Sequence, residues 1–184
     1  TLDASGYSVG VWRQGKVSTW YPLSSRSCPI PAGGYHAFTT SVEGITAFYE
    51  APRDSLTQSA SLPQLANKGF TIELLRHADS TVVETFRYDP ALLGKLRSQR
   101  GVALERYISP TGDKSQEFWG AATQPSHFAT PGQHNSIRPS GSSPSDTTHT
   151  SALLPLYITE IMARPTVDGS EYIELYNPND TTVN

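Results

Sequence analysis

Four acidic side chains near the end of the sequence are the residues best suited to bind an ion or to act as acid and base: Glu160, Asp168, Glu171 and Glu174. Calcium binds several carboxylate and carbonyl oxygens together, and a pair of carboxylates can hydrolyse glycosides. The sequence has neither EF-hand spacing nor an Asp-rich repeat around these residues. It therefore favours the alternative, in which they lie on strand faces and in a turn, and it predicts no metal site.

The histidines, the cysteine and the serines follow no recognisable catalytic pattern. No two histidines stand four residues apart, no Cys/His cluster could hold zinc, and no Gly-x-Ser-x-Gly segment marks a nucleophilic serine. Cys28 can form no internal disulfide and is predicted to be a buried structural thiol. These residues predict a chain that is not an enzyme and that has no cofactor. The five histidines are His36, His77, His127, His134 and His149.

Aromatic residues offer a candidate ligand surface. Trp20 and Tyr21 precede Pro22 near a predicted strand end, where their rings could remain exposed and stack on a sugar. The alternative is that the aromatic residues fill the core, where they bury a large area. Trp119 is predicted to be such a core residue. Trp20 and Tyr21 are therefore the predicted binding residues.

Composition and charge exclude several classes of protein. The 184 residues are 36% hydrophobic and 10% aromatic, and they carry a net charge of −3. The acidic balance and the lack of a basic run exclude a nucleic-acid binder of the usual kind. No stretch of about 18 apolar residues is present, so no membrane insertion is predicted. The sequence begins without Met, so we expect a fragment that has lost its targeting signal.

The sequence predicts short strands between turns as the elements that position these residues. Residues 7–13 and 16–20 predict a hairpin around Gln14-Gly15. Residues 70–76 alternate apolar and polar side chains, which is typical of a half-buried strand, and they pair naturally with residues 82–88. Residues 102–107, 156–162 and 171–177 predict further strands, and residues 89–98 predict one short helix. Residues 137–153, rich in Ser, Thr and Pro, predict a flexible linker.

The last part of the sequence resembles the opening of a bacterial lamin-tail domain. Residues 158–161 (ITEI) and 171–178 (EYIELYNP) are similar to the I-x-E-I/V and E-[FY]-[IV]-E-L-Y-N-P strands with which those domains begin. Blocks in the first 136 residues resemble the remainder of the family pattern. These blocks are residues 2–9 (LDASGYSV), 30–38 (IPAGGYHAF), 62–75 (LPQLANKGFTIELL), 101–106 (GVALER) and 118–136 (FWGAATQPSHFATPGQHNS).

The order of the blocks differs from the order in the family, because the first two strands stand last here. Joining Asn184 to Thr1 restores a continuous pattern, so the chain is either circularly permuted or cut from a tandem array. The resemblance implies an all-β, immunoglobulin-like β-sandwich. In it, residues 1–136 form the main part and residues 154–184 supply the first two strands. We expect closure within one chain as a monomer, with a strand-swapped oligomer as the alternative.

The resemblance also implies a function without catalytic residues. It implies a non-catalytic extracellular interaction or spacer module of a bacterial protein that is secreted, periplasmic or held at the cell surface. Asp146-Thr147-Thr148 resembles an O-glycosylation signal of exported Bacteroidetes proteins. The partner is expected to be an unknown protein or a glycan. The alternative is a carbohydrate-binding module accessory to a surface enzyme, with Trp20 and Tyr21 as its contact residues.

Overall fold

The structure, a computed structural model, describes residues 1–109, 114–139 and 154–179. Short strands dominate these ranges, so the predicted all-β class is confirmed. The strands are β1 (Leu2–Asp3), β2 (Tyr7–Arg13), β3 (Lys16–Val17), β4 (Tyr21–Pro22), β5 (Pro29–Ile30), β6 (Tyr35–Thr39), β7 (Leu56–Gln58), β8 (Phe70–Arg76), β9 (Thr81–Tyr88), β10 (Leu104–Tyr107), β11 (Phe118–Ala121), β12 (Tyr157–Met162) and β13 (Tyr172–Tyr176).

Helical structure in the described ranges is limited to single turns. The one α-helix there, α1 (Glu43–Thr46), has four residues. The helix predicted over residues 89–98 is wrong in length and type. A 3₁₀ turn, Pro90–Leu93, begins after Asp89, whose carboxylate accepts a hydrogen bond from the Ala91 amide, and it ends at Gly94 with φ of 70°. The other 3₁₀ turns are Ala4–Gly6, Arg53–Ser55, Lys114–Gln116 and Gln124–Ser126. No described helix is long and apolar enough to cross a membrane.

A six-stranded sheet has the order β11-β10-β12-β13-β6-β7. Neighbouring strands are antiparallel except β6 and β7, which are parallel. The two strands from the end of the chain, β12 and β13, lie in the middle of this sheet. They join β10 on one side to β6 on the other. Most of the predicted linker, residues 140–153, lies outside the described residues, whereas Ile137 is described and buried.

A second sheet has the order β3-β2-β8-β9, and β4 also pairs with β2. The predicted hairpin between β2 and β3 is confirmed. Trp12 pairs with Val17 across a two-residue turn in which Gln14 and Gly15 both have positive φ, as a primed turn requires. The predicted pairing of residues 70–76 with 82–88 is confirmed by the antiparallel β8 and β9.

The main core lies between the two sheets, because apolar side chains of both form one cluster. Alternation places Val9, Ile72 and Leu74 of the second sheet, and Ile173 and Leu175 of the six-stranded sheet, in this cluster. All five are fully buried. Burial of each such side chain contributes about 1.5–3 kcal/mol, so the strands of both sheets stabilise one another.

The two ends of the described chain lie beside the same residue. The side-chain amide of Asn177, which follows β13, donates to the carbonyl of Ile30. Ile30 in turn pairs with Leu2 in the small β1–β5 sheet. The Gly33 amide also donates a hydrogen bond to the Asn177 carbonyl, and the Asn177 amide donates one to the Gly34 carbonyl. The segment after β13 therefore lies next to the segment that contains the start of the chain.

Candidate functional site

Three glutamates stand in a row across the outer face of the six-stranded sheet. Glu105 on β10 pairs with Glu160 on β12, and Glu160 pairs with Glu174 on β13. Neighbouring strands are about 4.8 Å apart, so the three side chains project from one face side by side. All three are fully buried. We call Glu105, Glu160 and Glu174 the carboxylate row.

Main-chain amides of one segment cover the carboxylate row. The amide of Thr130 donates to Glu160 Oε1 at 2.9 Å, and the amide of Gly132 donates to Glu174 Oε2 at 2.8 Å. Glu105 Oε2 accepts from the amides of Ser136 at 2.7 Å and of Ile137 at 3.0 Å. We call residues 129–137 the covering segment. Its buried amides find their hydrogen-bond acceptors in carboxylates of three different strands.

Glycine at position 132 is required by both conformation and space. Its φ is 74°, and an added Cβ would lie 2.7 Å from the Ser55 Cβ and 2.8 Å from the Ser55 carbonyl oxygen. Only Gly adopts positive φ without steric cost. Gly132 therefore allows the covering segment to approach both the Ser55 backbone and the carboxylate of Glu174.

Hydroxyl groups complete the hydrogen bonds of the carboxylate row. The Thr130 hydroxyl lies 2.7 Å from Glu105 Oε1 and 3.2 Å from Glu160 Oε2. Tyr172 donates to Glu160 Oε1 at 2.6 Å, and Thr159 donates to Glu174 Oε1 at 2.8 Å. The Ser136 hydroxyl donates to Glu105 Oε2 at 2.8 Å. None of these partners, all within the described residues, is a cation.

Burial controls the protonation of these groups. It raises the pKa of Glu105, whereas the hydrogen bonds that Glu105 accepts act in the opposite direction. Burial and then the Glu105 charge raise the pKa of Glu160 to about 8. Burial and then the Glu160 charge raise the pKa of Glu174 well above its ordinary value. Burial also raises the pKa of Tyr172, so its phenol remains a proton donor. The row therefore disfavours three simultaneous negative charges.

The four acidic residues considered for calcium do not converge. Glu160 and Glu174 belong to the carboxylate row, whereas Asp168 is exposed in a turn with φ of 68°. Glu171 accepts a hydrogen bond from the Leu65 amide at 3.1 Å. Within the described ranges no three His, Cys, Asp or Glu residues are arranged to hold a metal ion. Glu160 and Glu174 lie on strands and Asp168 lies in a turn, whereas Glu171 directly precedes β13.

Cys28, His36 and Thr57 lie together in the lining of a polar groove of about 640 Å³. The Cys28 sulfur lies 3.5 Å from His36 Nε2, which lies 2.8 Å from the Thr57 hydroxyl. Burial raises the pKa of the Cys28 thiol and lowers the pKa of His36 to about 4. Both groups are therefore neutral at pH 7, and the thiol is buried as predicted. This protonation state is opposite to that of a reactive thiolate–imidazolium pair.

Trp20 and Tyr21 face opposite sides of the second sheet. Tyr21 pairs with the inward-facing Val9 and packs against the main core. The ring of Trp20 lies over Gly10, where an added Cβ would be 3.0 Å from Trp20 Cε3 and 2.3 Å from Val17 Cγ1. Gly10 alternates with Val9 and therefore faces outward. The half-buried Trp20 is thus on the outer face of this sheet, while Tyr21 is not.

Trp12 shares the outer face with Trp20. It stands two residues after Gly10 on β2 and is 42% exposed. Gly10 pairs with Glu73, and Glu73 pairs with Thr85, so these polar residues continue the same face across β8 and β9. We call this surface, formed by Trp12, Trp20, Glu73 and Thr85, the tryptophan face. Trp12 is one of the aromatic residues that the sequence offers for a sugar-stacking surface, but the sequence favours Trp20 and Tyr21 over it.

Comparison with known proteins gives no match for this chain among family models, curated proteins or solved structures. The resemblance to lamin-tail domains rests on the quoted motifs alone. The immunoglobulin-like type of the β-structure is accordingly part of the proposal that follows.

Proposed function

We propose that this chain is a non-catalytic extracellular interaction or spacer module with an immunoglobulin-like, lamin-tail type of β-sandwich. The observation that carries the proposal is the carboxylate row. Glutamates of the two motif strands and of β10 accept hydrogen bonds from the chain's own amides and hydroxyls, and they are fully buried. A catalytic base or nucleophile must reach its substrate. Because these carboxylates are buried and already accept hydrogen bonds, we assign them the structural role of holding the fold together.

The meeting of the chain ends supports the lamin-tail proposal. In the family pattern, the strand resembling β13 is followed by the strand resembling residues 2–9. Here the segment after β13 and the start of the chain both contact Ile30. A permuted order therefore needs little rearrangement of the strands. We propose a monomer in which β12 and β13 pair within their own chain, as part of a secreted, periplasmic or cell-surface bacterial protein.

The purified chain is expected to hydrolyse no peptide, ester, glycoside or nucleotide substrate. The reason is that the buried glutamates are occupied and that Cys28 and His36 are both neutral. The measurement is a panel of chromogenic substrates at pH 5, 7 and 9. Turnover that co-purifies with the chain and is abolished in a C28A or E105Q variant would contradict the proposal.

Carbohydrate binding is a second candidate function, and the tryptophan face specifically favours it. Gly10 leaves space for Trp20 to lie against the sheet, and Trp12 presents a partly exposed indole on the same side. Flat aromatic rings beside polar side chains suit the alternating apolar and hydroxyl-bearing surfaces of a pyranose. In this second candidate the ligand is a glycan and Trp20 is a contact residue, as the sequence predicted, with Trp12 in place of Tyr21.

If a glycan is retained on an array, W12A is expected to weaken its binding by about tenfold or more, because truncation of an aromatic contact residue commonly costs at least 1–2 kcal/mol. The matched control is F48A, which removes a ring of similar exposure outside the second sheet. Titration calorimetry with the retained oligosaccharide measures the change. Equal weakening by both variants, or none by W12A, would exclude the tryptophan face as the glycan site.

A further inference from the structure

The carboxylate row contains a hydroxyl with more acceptors than protons. The Thr130 hydroxyl carries one hydrogen, but its oxygen lies 2.7 Å from Glu105 Oε1 and 3.2 Å from Glu160 Oε2. If both glutamates were ionised, only one of these contacts could be a hydrogen bond. The other would place two buried, electron-rich oxygens together without a hydrogen between them. The geometry is satisfied when one carboxyl group carries a proton.

The number of donors identifies which carboxyl group is charged. Glu105 accepts four hydrogen bonds: the Thr130 hydroxyl at its Oε1, and the Ser136 amide, the Ser136 hydroxyl and the Ile137 amide at its Oε2. Charge on Glu105 is therefore well stabilised. Glu160 Oε1 accepts from the Thr130 amide and from Tyr172. Among the described residues, the Thr130 hydroxyl is the one partner of Glu160 Oε2. This contact is longer than the contact of the same hydroxyl with Glu105 Oε1.

We propose that the folded protein holds a proton on Glu160 at neutral pH. The proton lies on Oε2 and is donated to the Thr130 hydroxyl, which donates its own hydrogen to the Glu105 carboxylate. This chain of two hydrogen bonds joins β12, the covering segment and β10. Loss of the proton in alkaline solution breaks the first bond and places a second negative charge beside Glu105. The proton on Glu160 therefore helps to hold the covering segment against β12 and β10. Its loss in alkaline solution weakens that attachment.

The surroundings of Glu160 support this assignment. The titratable groups that face it are Glu105 on β10, Glu174 and Tyr172 on β13, and Tyr49 after α1. Each of these is negative or neutral, and no Lys, Arg or His among the described residues makes an ion pair with the row. Burial and the Glu105 charge both raise the pKa of Glu160, to about 8. The direction agrees with the proton required by the geometry.

The sign of the pH dependence follows from proton binding. Glu160 has an ordinary pKa of about 4.3 in the unfolded chain and a pKa of about 8 in the folded chain. Between these values the folded state binds more protons than the unfolded state, so stability falls as pH rises. The contribution of Glu160 is complete below about pH 4.3 and is lost as pH rises through about 8. The folding equilibrium constant should change by up to about tenfold per pH unit within this window.

The experiment compares unfolding of the full chain with that of E160Q between pH 5 and 9.5. The side-chain amide introduced in E160Q keeps an acceptor for Tyr172 and the Thr130 amide, and it donates to the Thr130 hydroxyl without titrating. E160Q is therefore expected to fold, and the wild-type chain should lose stability relative to E160Q as pH rises. E105Q is the matched control, and it should be less stable than wild type at pH 5 because it removes the charge that four donors stabilise. Parallel wild-type and E160Q profiles would overturn the proposal.

An infrared measurement on the wild-type chain keeps the proposal testable if either variant fails to fold. A protonated carboxyl group absorbs at a higher frequency than a carboxylate. The folded chain at pH 7 is expected to show this band, to lose it in alkali, and to lose it when unfolded at pH 7. An E174Q variant, which removes the other carboxyl group with a strongly raised pKa, is expected to keep the band at pH 7. Absence of a protonated-carboxyl band at pH 7 would show that all buried glutamates are ionised and would overturn the proposal.

Discussion

A chain that ends at Pro139 is expected to be unfolded or aggregated. Without β12 and β13 the six-stranded sheet separates into β11-β10 and β6-β7, and the main core loses one wall. The removed residues include six fully buried apolar side chains of β12 and β13, each contributing about 1.5–3 kcal/mol. Their sum is as large as the whole net stability of a typical domain, about 5–15 kcal/mol. The six are Ile158, Ile161, Met162, Tyr172, Ile173 and Leu175.

Circular dichroism and size-exclusion chromatography of the truncated chain measure this effect. The control is a full-length chain in which residues 140–153 are replaced by a Gly/Ser sequence of equal length, and it should fold. A synthetic peptide of residues 154–179 should restore β-structure to the truncated chain in trans. If the truncated chain were monomeric and melted cooperatively at the wild-type temperature, β12 and β13 would not be integral to the fold.

Replacing Glu105 by alanine is expected to destabilise the chain by at least about 3–5 kcal/mol, because each hydrogen bond to a charged group contributes about 1.5–3 kcal/mol and four are lost. Glu105 satisfies four donors from the covering segment: the Thr130 and Ser136 hydroxyls and the Ser136 and Ile137 amides. Each buried donor left without a partner costs about 1–3 kcal/mol. The effect should greatly exceed that of removing an exposed carboxylate.

Urea unfolding at pH 7 measures the loss, and E50A is the matched control because the side chain of Glu50 is exposed. E50A should change the free energy of unfolding by less than about 0.5 kcal/mol. Similar values for E105A and E50A would show that Glu105 does not fasten the covering segment in solution. That result would also reopen the question whether Glu105 is available for chemistry.

The all-β class could be predicted because it depends on local patterns. Period-two alternation marked residues 70–76, and Gln14-Gly15 marked the hairpin, since positive φ at a two-residue turn strongly favours Gly. The helix predicted over residues 89–98 failed because a capped turn with Pro at its start also begins a 3₁₀ turn. Gly94, with its positive φ, ends the 3₁₀ helix after a single turn.

The carboxylate row could be predicted only in part. Glu160 and Glu174 lie close together in the sequence, but Glu105 lies on a strand distant in sequence. An irregularity in register between Ile158 and Glu160 also shifts the phase of β12, so Ile158 and Ile161 face the main core while Glu160 faces outward. The sequence shows neither the strand order nor this irregularity. The role of these carboxylates therefore became visible only with the tertiary structure.

The tryptophan face could likewise be predicted only in part from the sequence. Trp20 and Tyr21 are adjacent in sequence, but adjacent residues of an extended chain point to opposite sides. Tyr21 consequently joins the main core, and Trp12 shares the outer face with Trp20. A period-two count along β2 relates Trp12 to Gly10, but the position of Trp20 over Gly10 depends on how the chain returns after β3.

Amide hydrogen exchange of the full chain tests most directly the claim that the buried glutamates hold the fold together. The amides of Thr130, Gly132, Ser136 and Ile137 donate to carboxylates on three strands rather than to a neighbouring strand. If the carboxylates hold these four amides in solution, the amides exchange as slowly as those of β13. If they exchange as fast as exposed loop amides while β13 remains protected, the carboxylates are not engaged, and the structural role assigned to them is wrong.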